Sequence, residues 1–223
     1  PVQISHHKAS GIKNWGKVRE SLAVVDSARA EGIDVTVNVY PYEACSTTLR
    51  AILPGWVQEG GMEKLKERLE DNSLRERLKE EIQQPAATWD NYYLLGGGAQ
   101  GVILLFFPAT PQYEGKTLKE VAEIVKKDPL DTAFDLIIDN QGTDTCAYTA
   151  MSEDDVDYIL CHPASIIVSD SIPSPPGTKA HPRVASSFCR VLDLYVRQKH
   201  LLTLETAVHK MTAFPARRMG FYD

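Results

Sequence analysis

The chain has 223 residues, 43% hydrophobic and 24% charged, with a net charge of −6. That is room for one large domain or two small ones, with a substantial core and no tendency to disorder. The acidic balance, without any block of Lys or Arg, speaks against a dedicated nucleic-acid or anionic-membrane surface. No apolar run is long enough to span a membrane as a helix, and the N-terminus lacks a signal-peptide pattern, so a cytoplasmic protein is expected.

In chain order, Val2 to Ile4 is a short apolar run that delivers His6, His7 and Lys8 and breaks out through Ala9-Ser10-Gly11. That is how a buried parallel strand presents functional groups at its carboxyl end. Alternation along a strand puts His6 and Lys8 on one side and His7 on the other. Trp15 to Glu31 reads as a helix with Val18, Leu22, Val25 and Ala28 on its apolar stripe and Gly32 as its stop. Asp34 to Tyr40 is rich in β-branched residues and reads as a second buried strand, ended by Pro41. Strand, helix and strand with short links make a βαβ unit with parallel strands.

Met62 to Ile82 is a charged helical stretch interrupted at Asp71-Asn72-Ser73, where Ser73 and Glu76 match a capping box. Trp89 to Leu95 and Val102 to Phe107 flank a glycine-rich segment and read as an antiparallel hairpin. The glycine run lacks the Gly-Lys-Ser/Thr ending of a phosphate loop. Thr117 and Glu120 form a second capping-box pattern opening a helix, and another helix is expected from Leu130 to Asp139. Cys146 to Ala150 is a short strand candidate, Ser152 opens a helix reaching Cys161, and Ser165 to Asp170 is a third buried-type strand. A proline-stiffened loop fills 171–183. The last third reads as helical, with one stripe of Val184, Phe188, Val191, Leu192, Tyr195 and Val196 and another of Leu204, Ala207 and Met211.

Of the four cysteines, none pairs in a C-x-x-C pattern, and they are expected to be reduced, mostly buried small hydrophobes. Cys45 is expected in a loop near the site. The chain begins inside a strand and stops soon after a helix, so it is expected to be a piece of a larger protein.

Three strands thus end in His6/Lys8, Tyr40 and Asp170, and parallel α/β folds bind ligands at the carboxyl ends of strands. A histidine and an aspartate on different strands suit zinc, although buried acids and histidines also serve simply to cap loops. A core tyrosine is the alternative at Tyr40, and a solvated surface charge the alternative at Lys8 and Arg183. His162, His181, His200 and His209 read as structural or exposed.

Further stretches carry a resemblance: Ser5-His6-His7-Lys8, Asn14-Trp15-Gly16, Asp34 through Tyr42, Ser46-Thr47, Tyr113-Glu114-Gly115-Lys116, Met151 through Val156, Val168-Ser169-Asp170, His181-Pro182-Arg183 and Leu204 through Thr212. Together they resemble the N-acyl-D-amino-acid deacylases of the metal-dependent amidohydrolase superfamily. The resemblance implies an α/β fold, a partial (β/α)8 TIM-like barrel holding strands six to eight with a small inserted α+β domain. On that map 1–49 holds strands six and seven with the helix between them, 50–110 is the insert, and 111–223 returns to the barrel with strand eight and the C-terminal helices. It also implies zinc-dependent hydrolysis of N-acyl-D-amino acids, with one or two Zn²⁺ ions in the full-length enzyme. His6 matches a metal-binding histidine, and Asp170 matches a metal-binding aspartate that orients the attacking water and shuttles its proton. Lys8, Tyr40, Ser46 and Arg183 match groups that hold the substrate carboxylate. Departures are Ser171 for a glycine, Cys45 for a glycine and Asn38 for an acid. A cyclic-amide hydrolase of the same superfamily and a non-catalytic interaction domain derived from the fold remain as alternatives. The 223 residues alone, with two metal donors, are expected to bind zinc weakly, to lack activity, and to pair with a missing N-terminal half or with themselves.

Overall fold

The computed structural model describes residues 1–85, 88–173 and 177–222. The chain folds as two compact units: 1–43 with 151–174 and 182–223, and 44–150 with 175–181. The segment 50–110, expected as an insert, is therefore only part of a larger second unit.

The first unit opens with β1 (Val2–Ile4), α1 (Val18–Ala30) and β2 (Val35–Val39). α1 buries Val18, Leu22 and Val25, the stripe its periodicity predicts. The chain then enters the second unit with β3 (Ala44–Thr47), α2 (Gly55–Gln58), α3 (Gly61–Glu70), α4 (Asn72–Ile82), α5 (Tyr92–Leu95) and β4 (Val102–Phe106). It continues through α6 (Leu118–Val125), α7 (Pro129–Asn140) and β5 (Thr145–Thr149). Back in the first unit come α8 (Glu153–Cys161), β6 (Ser165–Ile167) and α9 (Arg183–Arg190). A π-helix (Val191–Gln198), α10 (Leu204–Met211) and α11 (Ala213–Arg218) finish it.

The first unit's sheet is parallel, ordered β1-β2-β6, with Ile4 opposite Val37 and Val39 opposite Ile167. Central β2 buries Val35, Thr36, Val37 and Val39, so both faces are covered, as a parallel strand requires. β1 pairs only with β2 among the described residues and leaves Val2 half exposed. The second unit's sheet is antiparallel, ordered β3-β5-β4. Its core includes Leu104, Phe107, Leu118, Phe134, Ile137 and Tyr148, all fully buried.

Several expectations are corrected. The predicted hairpin does not form: Tyr92–Leu95 is a helical turn capped by Asn91, and β4 pairs with β5 about forty residues on. The break between α3 and α4 is capped by Asp71, whose Oδ1 accepts from Ser73 N at 2.8 Å, rather than by Ser73 with Glu76. Cys45 lies not in a loop but buried on β3, in the second unit, and Cys189 is exposed. The first C-terminal stripe holds in part: Val191 and Tyr195 are fully buried as expected, but Ser187 is buried in place of Phe188, which is exposed. The Thr117–Glu120 capping box forms as the sequence predicts.

Candidate active site

The carboxyl ends of β1, β2 and β6, with the start of α9, bring five of the six predicted site residues into one unit: His6, Lys8, Tyr40, Asp170 and Arg183. Ser46 stands on β3 in the second unit.

β1 stops at Ile4, and Asn38 carries the connection onward. Its side-chain Oδ1 accepts from His6 N at 2.6 Å, and its carbonyl accepts from His7 N at 2.8 Å. The turn drives His6 to a left-handed φ of 39°, a region that non-glycine residues seldom occupy. Lys8 then folds back so that Nζ lies 2.9 Å from His6 Nδ1. His6 and Lys8 do meet, as alternation predicts, but through a turn and not along an extended strand. His7 faces the other way, its Nε2 2.9 Å from Ser21 Oγ on α1. Burial, then the charges of His162 and Lys8, pull its pKa below the ordinary histidine value.

Tyr40 directly follows β2, with 1% of its surface exposed. Two cations approach its ring, Lys8 at 5.6 Å and the Arg183 guanidinium at 4.8 Å from the centroid. Arg183 Nη1 also donates to Asp170 Oδ2 at 2.8 Å. The pair is 11% exposed at the arginine and 31% at the aspartate, and Asp170 too has a left-handed φ, of 49°.

A second layer holds these groups, and its residues escaped the sequence reading. Arg190, two helical turns after Arg183, stacks on Tyr42 at 4.9 Å. It donates through Nε to Pro41 O at 2.7 Å and reaches Glu43 at 3.4 Å. A signal was present: arginines seven apart share a helix face. Burial raises the Tyr42 hydroxyl above the ordinary tyrosine pKa. The remaining predicted bystanders are as expected. His162 caps α8, His200 and His209 are exposed, and His181 is buried in the second unit with Nε2 3.1 Å from Ala44 O.

The donor set does not fit a metal ion as it stands. Among the described residues no group of three or more His, Cys, Asp or Glu side chains is arranged to hold one. An ammonium has only donors, so the Lys8 contact claims the lone pair of His6 Nδ1 and leaves the ring proton on Nε2. One oxygen of Asp170 is taken by Arg183. What the arrangement can do directly is bind an anion: a lysine, an arginine and a tyrosine converge, the combination suited to a carboxylate.

No family model matches the chain. It is 33% identical over 220 residues to an N-acyl-D-glutamate deacylase and 32% identical to a D-aminoacylase, both of Alcaligenes xylosoxydans xylosoxydans, with 99% of this chain aligned in each. It spans 35% of the length of each of those relatives. It is also similar to the crystal structure of N-acyl-D-glutamate deacylase from Bordetella bronchiseptica, complexed with zinc and a phosphonate mimic of the tetrahedral intermediate. There the TM-score is 0.69 at 31% identity, covering 98% of this chain and 36% of that one.

Proposed function

Because this chain is a homologue of the D-aminoacylase group of amidohydrolases and matches the C-terminal part of their mixed α/β fold, we propose that the whole protein hydrolyses the amide bond of N-acyl-D-amino acids. The products are a free D-amino acid and a carboxylate. This chain supplies the part of the active site that grips the substrate's carboxylate. On this reading β1, β2 and β6 are the sixth, seventh and eighth strands of a (β/α)8 barrel. Their parallel pairing in sequence order, with α1 and α8 preceding β2 and β6, supports it.

The observation that carries the proposal is the pair of cations over one buried tyrosine. Lys8 comes from the β1 exit and Arg183 from the start of α9, and both turn toward the ring of Tyr40. Two cations from separate segments directed at one ring give the convergence that a carboxylate receptor needs. Ser46 would add a hydroxyl, a role that rests on the family resemblance. Asn38 and Arg190 position the receptor, the first by fixing the turn at His6 and the second by fixing Pro41 to Glu43.

Zinc, one ion or two, would supply the Lewis acid that activates water, and His6 and Asp170 are the donors this chain offers. Both are engaged elsewhere here, so the roles assigned to these residues are binding and positioning. Two donors are fewer than a zinc site needs, so residues 1–223 alone are expected to be inactive.

The test is Arg183→Ala in the protein encoded by the complete reading frame. A charge-assisted contact is worth about 1.5–3 kcal/mol. KM for N-acyl-D-amino acids should therefore rise about ten- to a hundredfold, and KM for the corresponding amides should change little. Equal losses on both substrates would overturn the assignment.

A further inference from the structure

The first unit holds a cleft of about 530 Å³ that none of the residues assigned to metal or substrate lines. Its volume falls in the range of small-molecule sites. In its lining, Arg190 at the end of α9 and Asp193 on the π-helix carry opposite charges three residues apart, a spacing that makes neighbours on a helix surface. They do not pair with each other. The Arg190 guanidinium lies on the Tyr42 ring, 4.9 Å from its centroid, donates through Nε to Pro41 O at 2.7 Å and reaches Glu43 through Nη2 at 3.4 Å. Its Nη1 makes no hydrogen bond among the described residues. Asp193 accepts from Arg197 Nη1 at 2.9 Å and from Gln198 Nε2 at 2.8 Å. The Gln198 contact spans five residues, a separation that an α-helix turns apart and the i→i+5 bonding of a π-helix brings together. Both charges are thus held by other partners, side by side, with bonding capacity to spare, since a carboxylate offers about four acceptor positions.

We propose that this cleft binds the zwitterion of a free α-amino acid, with its carboxylate on Arg190 and its ammonium on Asp193. The two charges of an amino acid sit on one carbon, which suits two side chains whose β-carbons are about 5–6 Å apart. A simple anion would meet the carboxylates of Asp193 and Glu43 as well as Arg190. A simple cation would meet Arg190 and Arg197 as well as Asp193. Each is penalised by the pole it cannot use, and only the zwitterion satisfies both. Leu194 and Pro182 give the α-substituent an apolar wall. A free amino acid is one product of the proposed hydrolysis, but the chemistry of the cleft stands without that reaction.

The experiment follows Cys189, an exposed thiol in the lining of the cleft, in the protein encoded by the complete reading frame. Its alkylation by iodoacetamide is timed by mass spectrometry of the peptide that carries it. D-alanine is the probe, and propionate and ethylamine are its single-charge fragments. At about 10 mM, some ten times the Kd of about 1 mM within reach of so small a ligand, D-alanine should slow alkylation about tenfold. Propionate and ethylamine at the same concentration should leave the rate unchanged. Asp193→Asn keeps the shape of the side chain, removes its charge and should abolish the protection. Arg183→Ala, altered at the proposed carboxylate receptor, should retain it. Should Asp193→Asn fail to fold by circular dichroism, Gln198→Ala serves in its place, with weaker protection expected. Alkylation as fast with D-alanine as without it overturns the proposal, and so does equal protection by propionate or ethylamine. Protection that persists in Asp193→Asn or disappears in Arg183→Ala overturns it too, because the amino acid would then act from another site. The proposed hydrolysis survives any of these failures, since the comparison of KM values in Arg183→Ala tests it separately.

Discussion

Cationic side chains are paired differently in the helix packing of the second unit and at the candidate site of the first. In the second unit Arg75, Lys79 and Lys127 meet Asp131 and Asp135 on α7, with Arg75–Asp135 at 2.7 Å, Lys79–Asp131 at 2.9 Å and Lys127–Asp135 at 2.6 Å. Arg75 and Lys79 stand on α4 and both acids on α7, so these pairs tie helix to helix. In the first unit Arg183–Asp170 and Lys8–His6 join turn residues to the edge of a helix or to each other. Two of those partners, His6 and Asp170, sit in left-handed backbone conformations. Pairs fixed at both ends by helices act as fasteners. Pairs carried on turns can let go, and the groups they hold are those the proposed chemistry must reach.

If the second unit is a fastened structure, its core should dominate its stability. Phe134 is fully buried on α7, with the Arg75 guanidinium 5.7 Å above its ring. Phe134→Ala should cost about 3–5 kcal/mol, read from urea denaturation. A loss under about 1 kcal/mol would mean that the ionic network, and not the core, holds α7, against the usual worth of partly exposed pairs.

A smaller effect should separate the first unit by its pH dependence. Lys210 on α10 is buried, and its Nζ donates to His162 O at 2.5 Å and Ser165 O at 3.0 Å. Burial pulls its pKa from 10.5 down to about 8. The folded chain then holds fewer protons than the unfolded chain between those values, so this group makes stability rise with pH from about 8 to 10.5. Its full penalty is present below about pH 8. Lys210→Met should remove that slope. The variant should be destabilised by about 1–3 kcal/mol at high pH, where two carbonyls lose a donor, and by less at neutral pH. Melting temperatures of both proteins across the range would show it, and parallel curves would refute it. The smallest effect is expected at Thr117, the cap of α6, whose Oγ1 accepts from Glu120 N at 3.2 Å. Thr117→Ala should cost about 1 kcal/mol in the same denaturation experiment. A cost as large as that of Phe134→Ala would show that the second unit depends on its helix ends as much as on its interior.

Features set by near neighbours in the chain were legible in the sequence. The α1 stripe, the β-branched run of β2 and the Thr117 capping box are local patterns, and each appears where expected. Features decided by distant partners were not. Val102 to Phe106 is a strand, but its partner β5 lies far along the chain, and the intervening glycines imitate a hairpin loop. β3 is four small or polar residues, Ala44–Thr47, whose strand character comes from pairing with β5 a hundred residues later, so the second unit's start left no local mark. At the site, side-chain type and position at strand ends pointed to His6, Lys8, Tyr40 and Asp170, while Arg183, which opens α9, came from the family resemblance alone. That the cations would seize the candidate ligands was not legible, because it depends on turn geometry at His6 and Asp170 that neither periodicity nor propensity encodes.

The left-handed backbone at His6 and Asp170 has a consequence for how this sequence should drift. A residue with a β-carbon is held at φ of 39° or 49° at some cost in free energy, and glycine or asparagine would relieve it. Selection on stability alone therefore pushes both positions toward those residues, and only the use of the imidazole and the carboxylate opposes it. In a lineage freed from the chemistry, with the fold still required, these two positions should be among the first to change, and toward glycine or asparagine. Tyr40, buried just past the end of β2, should outlast them because packing alone retains it. Loss of the imidazole and the carboxylate with the tyrosine kept would thus be the mark of a descendant that had kept the scaffold and abandoned the reaction.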